Sequence, residues 1–173
     1  AVNMLSAVNN IRQMNMFIST SVAERNEISQ VMANANYFMS YAKSTPLTGE
    51  SGDSVIESFE LTRKGVTLDK YHAMLLFSNS SYIPDFSSKQ QYTGLEIVSK
   101  LFEETPINYE RSPNYYMPEY APYIKYDYDE ILTVIDKGVM KRGVLDKKSI
   151  GSGSMGGIFH IIHNEYGADK ALE

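Results

Sequence analysis

Ser154 is the residue whose neighbours could most readily support chemistry. It stands among small residues in the stretch GSGSMGG at 151–157. A serine hydroxyl becomes a nucleophile when a base such as histidine takes its proton, and two histidines follow within nine residues. If the protein is an enzyme, the catalytic candidates are therefore Ser154, His160 and His163. The alternatives for this stretch are a flexible or helix-entry loop and a backbone site for an anion at a helix N-terminus.

The same stretch resembles the nucleophile elbow of α/β-hydrolases. The signature of that turn is G-x-S-x-G, and the residues at 152–156, SGSMG, carry a serine in place of the first glycine. In that family the acid and the histidine of the triad follow the serine in the chain. Only 19 residues follow Ser154 here. The resemblance implies a hydrolase, which we keep as the alternative function.

The two histidines could also bind a divalent metal. His160 and His163 are spaced i, i+3, which places both imidazoles on one face of a helix, and Glu165 lies nearby. No H-E-x-x-H motif supplies a further ligand. The alternative is a pair of surface or interface histidines, and we expect neither a metal nor another cofactor.

Composition excludes several classes of function. The 173 residues include no cysteine and have a formal net charge of -5, which excludes disulfides, cysteine-ligated zinc, iron–sulfur clusters and cysteine nucleophiles. Non-specific nucleic-acid binding depends on surplus Lys and Arg, so we expect no nucleic-acid partner. No run of 18 apolar residues and no signal-peptide pattern is present. We therefore expect a soluble protein that does not insert into a membrane. These patterns do not indicate its compartment.

The first 43 residues differ in composition from the rest. They hold five of the nine methionines and seven asparagines, without proline or glycine, and their apolar residues recur at helical spacing. We predict helices over about 3–18 and 22–42, with one long bent helix as the alternative. Asparagines interrupt the apolar stripe, so the pair packs in the core or forms an oligomerisation seam. The predicted seam residues include Met14, Ile18 and Met32.

The segment 106–128 is the most unusual part of the chain. It contains four of the six prolines and seven of the thirteen tyrosines. Proline at this density excludes a continuous helix or central strand. Tyrosine is enriched at protein interfaces, so we interpret the segment as an arm or loop that contacts a partner. The alternatives are a surface for a glycan or small ligand and internal packing. The predicted contact residues are Tyr109, Tyr115, Tyr116, Tyr120 and Tyr123.

Charge is segregated in the second half of the chain. Between Glu96 and Glu130 there are eight acids against three bases, whereas 137–148 carries five bases against one acid. Patches of opposite sign can attract a complementary subunit. The alternative interpretation is an ordinary solvated hairpin.

The remaining patterns predict short elements in an α+β fold, with a mainly α fold as the alternative. Two capping boxes, Ser21 to Glu24 and Thr93 to Glu96, mark helix starts. The strand signals are short and late, and they favour a small hairpin with a turn at 136–138. We expect one domain over 1–173, with the helical segment 1–43 and the arm 106–128 inside it. The predicted strands are 55–62, 131–135 and 139–149, and the predicted helices are 69–77, 94–104 and 158–166.

These observations favour a non-enzymatic structural or assembly subunit of a larger complex, such as a virion, a filament or a multi-protein particle. Such a subunit would self-associate or bind a protein partner through the N-terminal helices and the Tyr/Pro segment. A hydrolase using Ser154 is the alternative.

Overall fold

The computed structural model describes residues 17–114, 116–120, 122–123 and 125–173. The predicted helix over 3–18 lies almost entirely outside these residues, and Met14 lies wholly outside them. Within the described residues there are seven α-helices and five strands. The α-helices are α1 Val22–Asn26, α2 Asp53–Thr62, α3 Lys70–Leu76, α4 Gly94–Leu101, α5 Lys147–Ile150, α6 Ile158–Tyr166 and α7 Ala168–Leu172.

The strands form two small antiparallel sheets. In the first sheet, β1 Thr67–Asp69 pairs with β2 Gln91–Thr93. The second has the order β3, β4, β5, formed by Tyr109–Arg111, Thr133–Asp136 and Val139–Arg142. With helices dominant and the larger sheet late in the chain, the predicted α+β class is confirmed.

The main core lies between α4, the three-stranded sheet and the C-terminal helices. Phe38, which follows the 3-10 helix Asn34–Tyr37, is completely buried in it. Its other large members come from α4, the three-stranded sheet, α5, α6 and the residues beside these elements. They include Val98, Phe102, Ile107, Tyr109, Ile135, Met140, Leu145, Ile150, Ile158 and Ile162.

A second cluster packs on the other side of α4. Ala73 and Phe77 enter it from α3 and its C-terminal end, and the Phe86 ring meets the Tyr92 ring edge to face at 5.0 Å. Ile97 belongs to this cluster, whereas its neighbour Val98 belongs to the main core. Helix α4 therefore joins the two clusters.

Local hydrogen bonds explain where two of the helices begin. At α4, the Thr93 hydroxyl accepts from the Glu96 N–H at 3.3 Å, and the Glu96 carboxylate accepts from the Thr93 N–H at 3.0 Å. The same reciprocal pair joins Ser21 and Glu24 at α1. Each box satisfies N–H groups that would otherwise have no partner, so both predicted capping boxes are confirmed.

The predicted strand at 55–62 is wrong, because this segment is helix α2. Its more buried residues Val55, Phe59 and Thr62 recur at spacings of four and three, which is one helical face. The Thr62 hydroxyl donates to the Ser58 carbonyl at 2.8 Å and accepts from the Leu145 N–H at 2.9 Å. The helix is thus fixed by a partner 83 residues away.

The predicted helix over 22–42 ends early. Helix α1 continues as the π-helix Glu27–Val31, and Ala33 is extended. The Asn36 amide donates to the carbonyls of Gln30 and Val31 at 2.7 and 3.1 Å. These carbonyls are at the end of the helix, where a side chain can replace the next turn.

The late hairpin is confirmed, although its second strand is shorter than predicted. Lys137 and Gly138 turn with φ of 47° and 79°, the left-handed conformation that tight hairpins require. Strand β5 ends at Arg142, and Gly143 follows with φ of 99°. Gly143 passes so close to Thr133 that a Cβ on it would lie 2.2 Å from the Thr133 Cα. The rest of the predicted strand 139–149 is wrong, because α5 begins at Lys147.

The other predicted helices form close to their expected bounds. The predictions over 69–77 and 158–166 correspond to α3 and α6, and the prediction over 94–104 corresponds to the shorter α4. Over the residues that the structure describes, no helix combines the length and apolar character needed to cross a bilayer.

Candidate functional site

The Ser154 hydroxyl is bound to the backbone. Its Oγ donates to the Lys147 carbonyl at 3.0 Å. The two neighbouring imidazoles face another group: Nδ1 of His160 and Nδ1 of His163 lie 3.5 and 3.4 Å from the side-chain amide of Asn164. The structure therefore does not bring the predicted nucleophile and bases together.

The Gly/Ser stretch holds a neighbouring loop in place. The Glu50 N–H donates to the Ile150 carbonyl at 2.9 Å, and the Gly153 N–H donates to the Pro46 carbonyl at 2.8 Å. Gly49 crosses so closely that a Cβ would lie 2.4 Å from the Ser152 nitrogen. The turn therefore holds this loop through backbone hydrogen bonds. In the sequence, only the glycines that permit the close approach indicate this role.

One of the two histidines lies against the core. The His163 ring stacks on the buried Phe38 ring, with centroids 5.2 Å apart and planes inclined by 4°. Neither His160 nor Glu165 completes a metal site with His163: across the described ranges, no three His, Cys, Asp or Glu residues are grouped to hold an ion. Packing on Phe38 accounts for the position of His163.

The predicted contact residues lie in different environments. Tyr109 is only 5% exposed and belongs to the main core. Tyr116 is half-buried and meets Tyr126 edge to face at 5.0 Å. Tyr123 is 86% exposed, and Ile18 and Met32 are also exposed. Tyr115 and the side chain of Tyr120 lie outside the described residues.

A buried carboxylate anchors the Tyr/Pro segment at Asn114, shortly after strand β3. Asp146 is 7% exposed, and it accepts from the Asn114 N–H and, at 3.1 Å each, from the N–H groups of Lys148 and Ser149. The same carboxylate therefore caps α5 and holds the Tyr/Pro segment. In the sequence, Asp146 and Ser149 form a third capping box. The structure completes it, because the Ser149 hydroxyl accepts from the Asp146 N–H at 2.8 Å.

A cation holds the C-terminal end of the Tyr/Pro segment. The Lys64 ammonium lies 2.7 Å from Asp129 and 3.3 Å from Asp127. These carboxylates, Asp129 first, raise the pKa of Lys64, and the Asp129 N–H lowers the pKa of Asp127. The Lys64 N–H donates to Glu130 at 3.2 Å. The Lys64, Asp127 and Asp129 side chains are 40–59% exposed, so these ion pairs contribute little to stability.

Two exposed apolar surfaces stand out. The N-terminal segment, defined here as residues 17–32, has no buried residue. Its exposed apolar side chains are Phe17, Ile18, Val22, Ile28, Val31 and Met32. The second surface is the outer face of α3, with Tyr71, Met74, Leu75 and Leu76. Apolar side chains exposed together in this way are typical of surfaces that other protein covers.

Comparison with known families places the chain. Residues 37–173, which carry every element from α2 onward, match the model of RNA polymerase Rpb1, domain 3. The chain belongs to this family. The Rpb1 domain 3 chain is 39% identical over 170 residues to a DNA-directed RNA polymerase RPB1 homolog of African swine fever virus, strain Badajoz 1971 Vero-adapted. That alignment covers 93% of this chain and 12% of the viral protein.

A more distant relative belongs to a cellular polymerase. The Rpb1 domain 3 chain is 26% identical over 163 residues to the DNA-directed RNA polymerase II subunit RPB1-B of Trypanosoma brucei brucei. The alignment covers 91% of this chain and 9% of that protein. The chain thus spans about a tenth of the length of these relatives.

Family membership overturns the predicted function. The prediction of a virion or filament subunit is wrong, and so is that of a hydrolase using Ser154, since the chain matches a domain of RNA polymerase Rpb1. The prediction that excluded a nucleic-acid partner is also wrong, because the relatives are subunits of DNA-directed RNA polymerases. The net charge of -5 averages over acidic and basic segments. It is therefore no guide to what the much longer relatives contact.

Proposed function

We propose that this chain is a folded part of an RPB1-type subunit of a DNA-directed RNA polymerase. The observation that carries the proposal is the 39% identity to the viral RPB1 homolog over 93% of the chain. The exposed apolar surfaces support it, because a piece of a much larger subunit presents faces that the rest of the assembly covers. DNA and RNA are then partners of the assembly as a whole.

A chimera tests this proposal. The matching segment of the African swine fever virus RPB1 homolog is replaced by this chain, and DNA-templated RNA synthesis is measured after purification of the polymerase. We expect RNA synthesis, and we expect it to be lost in a second chimera with Phe38→Ala, which removes a completely buried side chain. A chimera that accumulates like the native subunit but neither joins the other subunits nor makes RNA contradicts the proposal.

We further propose that the N-terminal segment contacts other parts of the polymerase, with Ile18 and Met32 among its contact residues. Val22, 72% exposed, lies between them. Exposed apolar residues are free to pack against a partner at little cost to the chain itself. Val22→Gln should weaken assembly of the chimera, whereas the exposed polar control Gln30→Ser should not. Equal assembly of both variants contradicts this role.

On the Tyr/Pro segment, Tyr116 and Tyr123 are proposed contacts of the same kind. Tyr123 is the more exposed of the two and makes the sharper test. Tyr123→Ser should reduce co-purification of the other subunits with the chimera, because tyrosine supplies a large contact area at low entropic cost. Tyr41→Ser, at another exposed tyrosine, is the control and should leave assembly unchanged. The interface role fails if the two variants assemble alike.

Finally, we propose that the chain is a single folding unit. Helix α4 contributes Ile97 to one core cluster and Val98 to the other. Shared packing on one helix couples the unfolding of both clusters. Urea unfolding followed by tyrosine fluorescence and by far-UV circular dichroism should give coincident single transitions, and two separate transitions argue for two units.

A further inference from the structure

A cavity with a cationic rim lies beside the N-terminus of α4. Its volume is about 330 Å³, and it is formed by the turn after α2, the start of α4 and the end of β5. The lining includes four cations and two carboxylates, a formal charge of +2 in a chain whose net charge is -5. The cations are Arg63, Lys64, Lys141 and Arg142, and the carboxylates are Asp129 and Glu130.

Two of these cations are already paired. Lys64 lies between Asp129 and Asp127, and Arg63 lies 3.3 Å from Glu60. The other two differ. In the part of the chain that the structure describes, no carboxylate lies within ion-pair distance of Lys141 or Arg142.

The hairpin positions both unpaired cations, and an aromatic ring also holds Arg142. Strand β5 buries Met140, so the next side chain, Lys141, is exposed. The Arg142 guanidinium lies over the Tyr128 ring, with its carbon 5.3 Å from the ring centre. Stacking of this kind holds the guanidinium plane while leaving its N–H edges free to donate. Gly65 also lines the cavity and leaves room in it, since a Cβ at Gly65 would have no heavy atom within 4 Å.

We propose that this cavity binds a phosphate-bearing anion through Lys141 and Arg142. A guanidinium donates to two phosphate oxygens at once, and an ammonium adds a mobile point charge. The volume is that of a small-molecule site, and the surplus of two positive charges matches a multiply charged anion. The phosphates could belong to a nucleotide or to an RNA strand. This inference rests on the cavity alone and stands apart from the polymerase assignment.

Titration with inorganic triphosphate tests the site. The 173-residue chain is titrated at low ionic strength by isothermal calorimetry, beside the double variants Lys141→Gln/Arg142→Gln and Lys147→Gln/Lys148→Gln. Both variants remove two positive charges, but only the first removes them from the cavity. We expect saturable binding that weakens at least about tenfold in the first variant and changes less than about twofold in the second.

Three outcomes overturn the proposal. They are the absence of saturable binding, equal weakening in both variants, and weakening in the second variant alone. Equal weakening would mean that triphosphate senses only the total charge. Circular dichroism and the unfolding midpoint of each variant establish that the fold is intact, as expected for substitutions at the edge of β5.

A competition arm identifies the source of the phosphates. A short oligouridine is added to the chain saturated with triphosphate. If oligouridine displaces triphosphate from the unmodified chain, and both effects are lost in Lys141→Gln/Arg142→Gln, the site is supported. It is then assigned to an RNA backbone. Triphosphate binding without displacement supports the site and assigns it to a nucleotide.

Discussion

The N-terminal segment and α6 carry the same kind of apolar pattern, yet only one of them is covered. In α6, Ile158 and Ile162 recur at helical spacing and are buried in the main core with Phe38 and Ala171. In the N-terminal segment, Val22 and Met32 belong to a stripe of the same kind and are exposed. Helical periodicity therefore identifies an apolar face, but the chain alone does not decide what packs on it.

This difference has an energetic meaning. Burial of an apolar side chain stabilises a fold by about 1.5–3 kcal/mol relative to its exposed state. The α6 side chains make that contribution inside this chain, whereas the side chains of the N-terminal segment can make it only against another surface. Stability should thus depend on the core and be almost insensitive to the N-terminal segment.

The largest contrast is expected between two phenylalanines. Phe38→Ala should lower the free energy of unfolding by about 3–5 kcal/mol, because it removes a completely buried ring. Phe17 is 73% exposed, and Phe17→Ala should change it by less than about 0.5 kcal/mol. Urea unfolding of both variants measures the difference. A cost at Phe17 close to that at Phe38 would mean that the N-terminal segment is covered within this chain.

A smaller effect is expected at the anchor of the Tyr/Pro segment. Asp146→Ala removes a buried carboxylate that caps α5 and accepts from Asn114, which should cost about 2–3 kcal/mol. Asp136, exposed at the end of β4, is the control, and Asp136→Ala should cost less than about 0.5 kcal/mol. The same urea titration compares them. Equal costs would show that the Asp146 anchor adds nothing to the stability of the fold.

Elements with their own local signals could be predicted from the sequence. The box of Thr93 and Glu96 specifies the start of α4 without any distant contact, and the Lys137–Gly138 turn specifies the late hairpin. In both cases the decisive hydrogen bonds or dihedral angles involve neighbours in the chain.

Elements fixed by distant partners could not be predicted. Helix α2 depends on the bond between Thr62 and Leu145, and a short apolar run does not distinguish a strand from a helix. The candidate site failed for a related reason. Ser154 donates to a carbonyl seven residues away rather than to an imidazole, and no spacing rule reveals which way a side chain on a turn points.

The pH dependence of stability should report on the burial of Tyr109. Burial raises the pKa of Tyr109 to about 12, from 10.0. The unfolded chain therefore loses this proton first as pH rises past 10. The stabilising contribution is complete below pH 10, and up to about 2–3 kcal/mol should be lost by pH 12.

A variant isolates the contribution of Tyr109 from that of other titrating groups. Tyr109→Phe should lose less stability than the unmodified chain between pH 10 and 12, as measured by urea unfolding at each pH. If Tyr109→Phe and the unmodified chain lose the same stability, burial does not raise the pKa of Tyr109.

The smallest effects are expected at the two capping boxes, which are chemically alike but lie in the two contrasted regions. Thr93→Ala should lower the free energy of unfolding by about 1 kcal/mol, because α4 packs in both core clusters. Ser21→Ala removes the same kind of hydrogen bond from α1, which buries no residue. Its global unfolding should stay unchanged, while amide exchange over 22–26 becomes faster, since α1 opens without the core. If Ser21→Ala lowers the free energy of global unfolding as much as Thr93→Ala, the N-terminal segment unfolds together with the core and is covered within this chain.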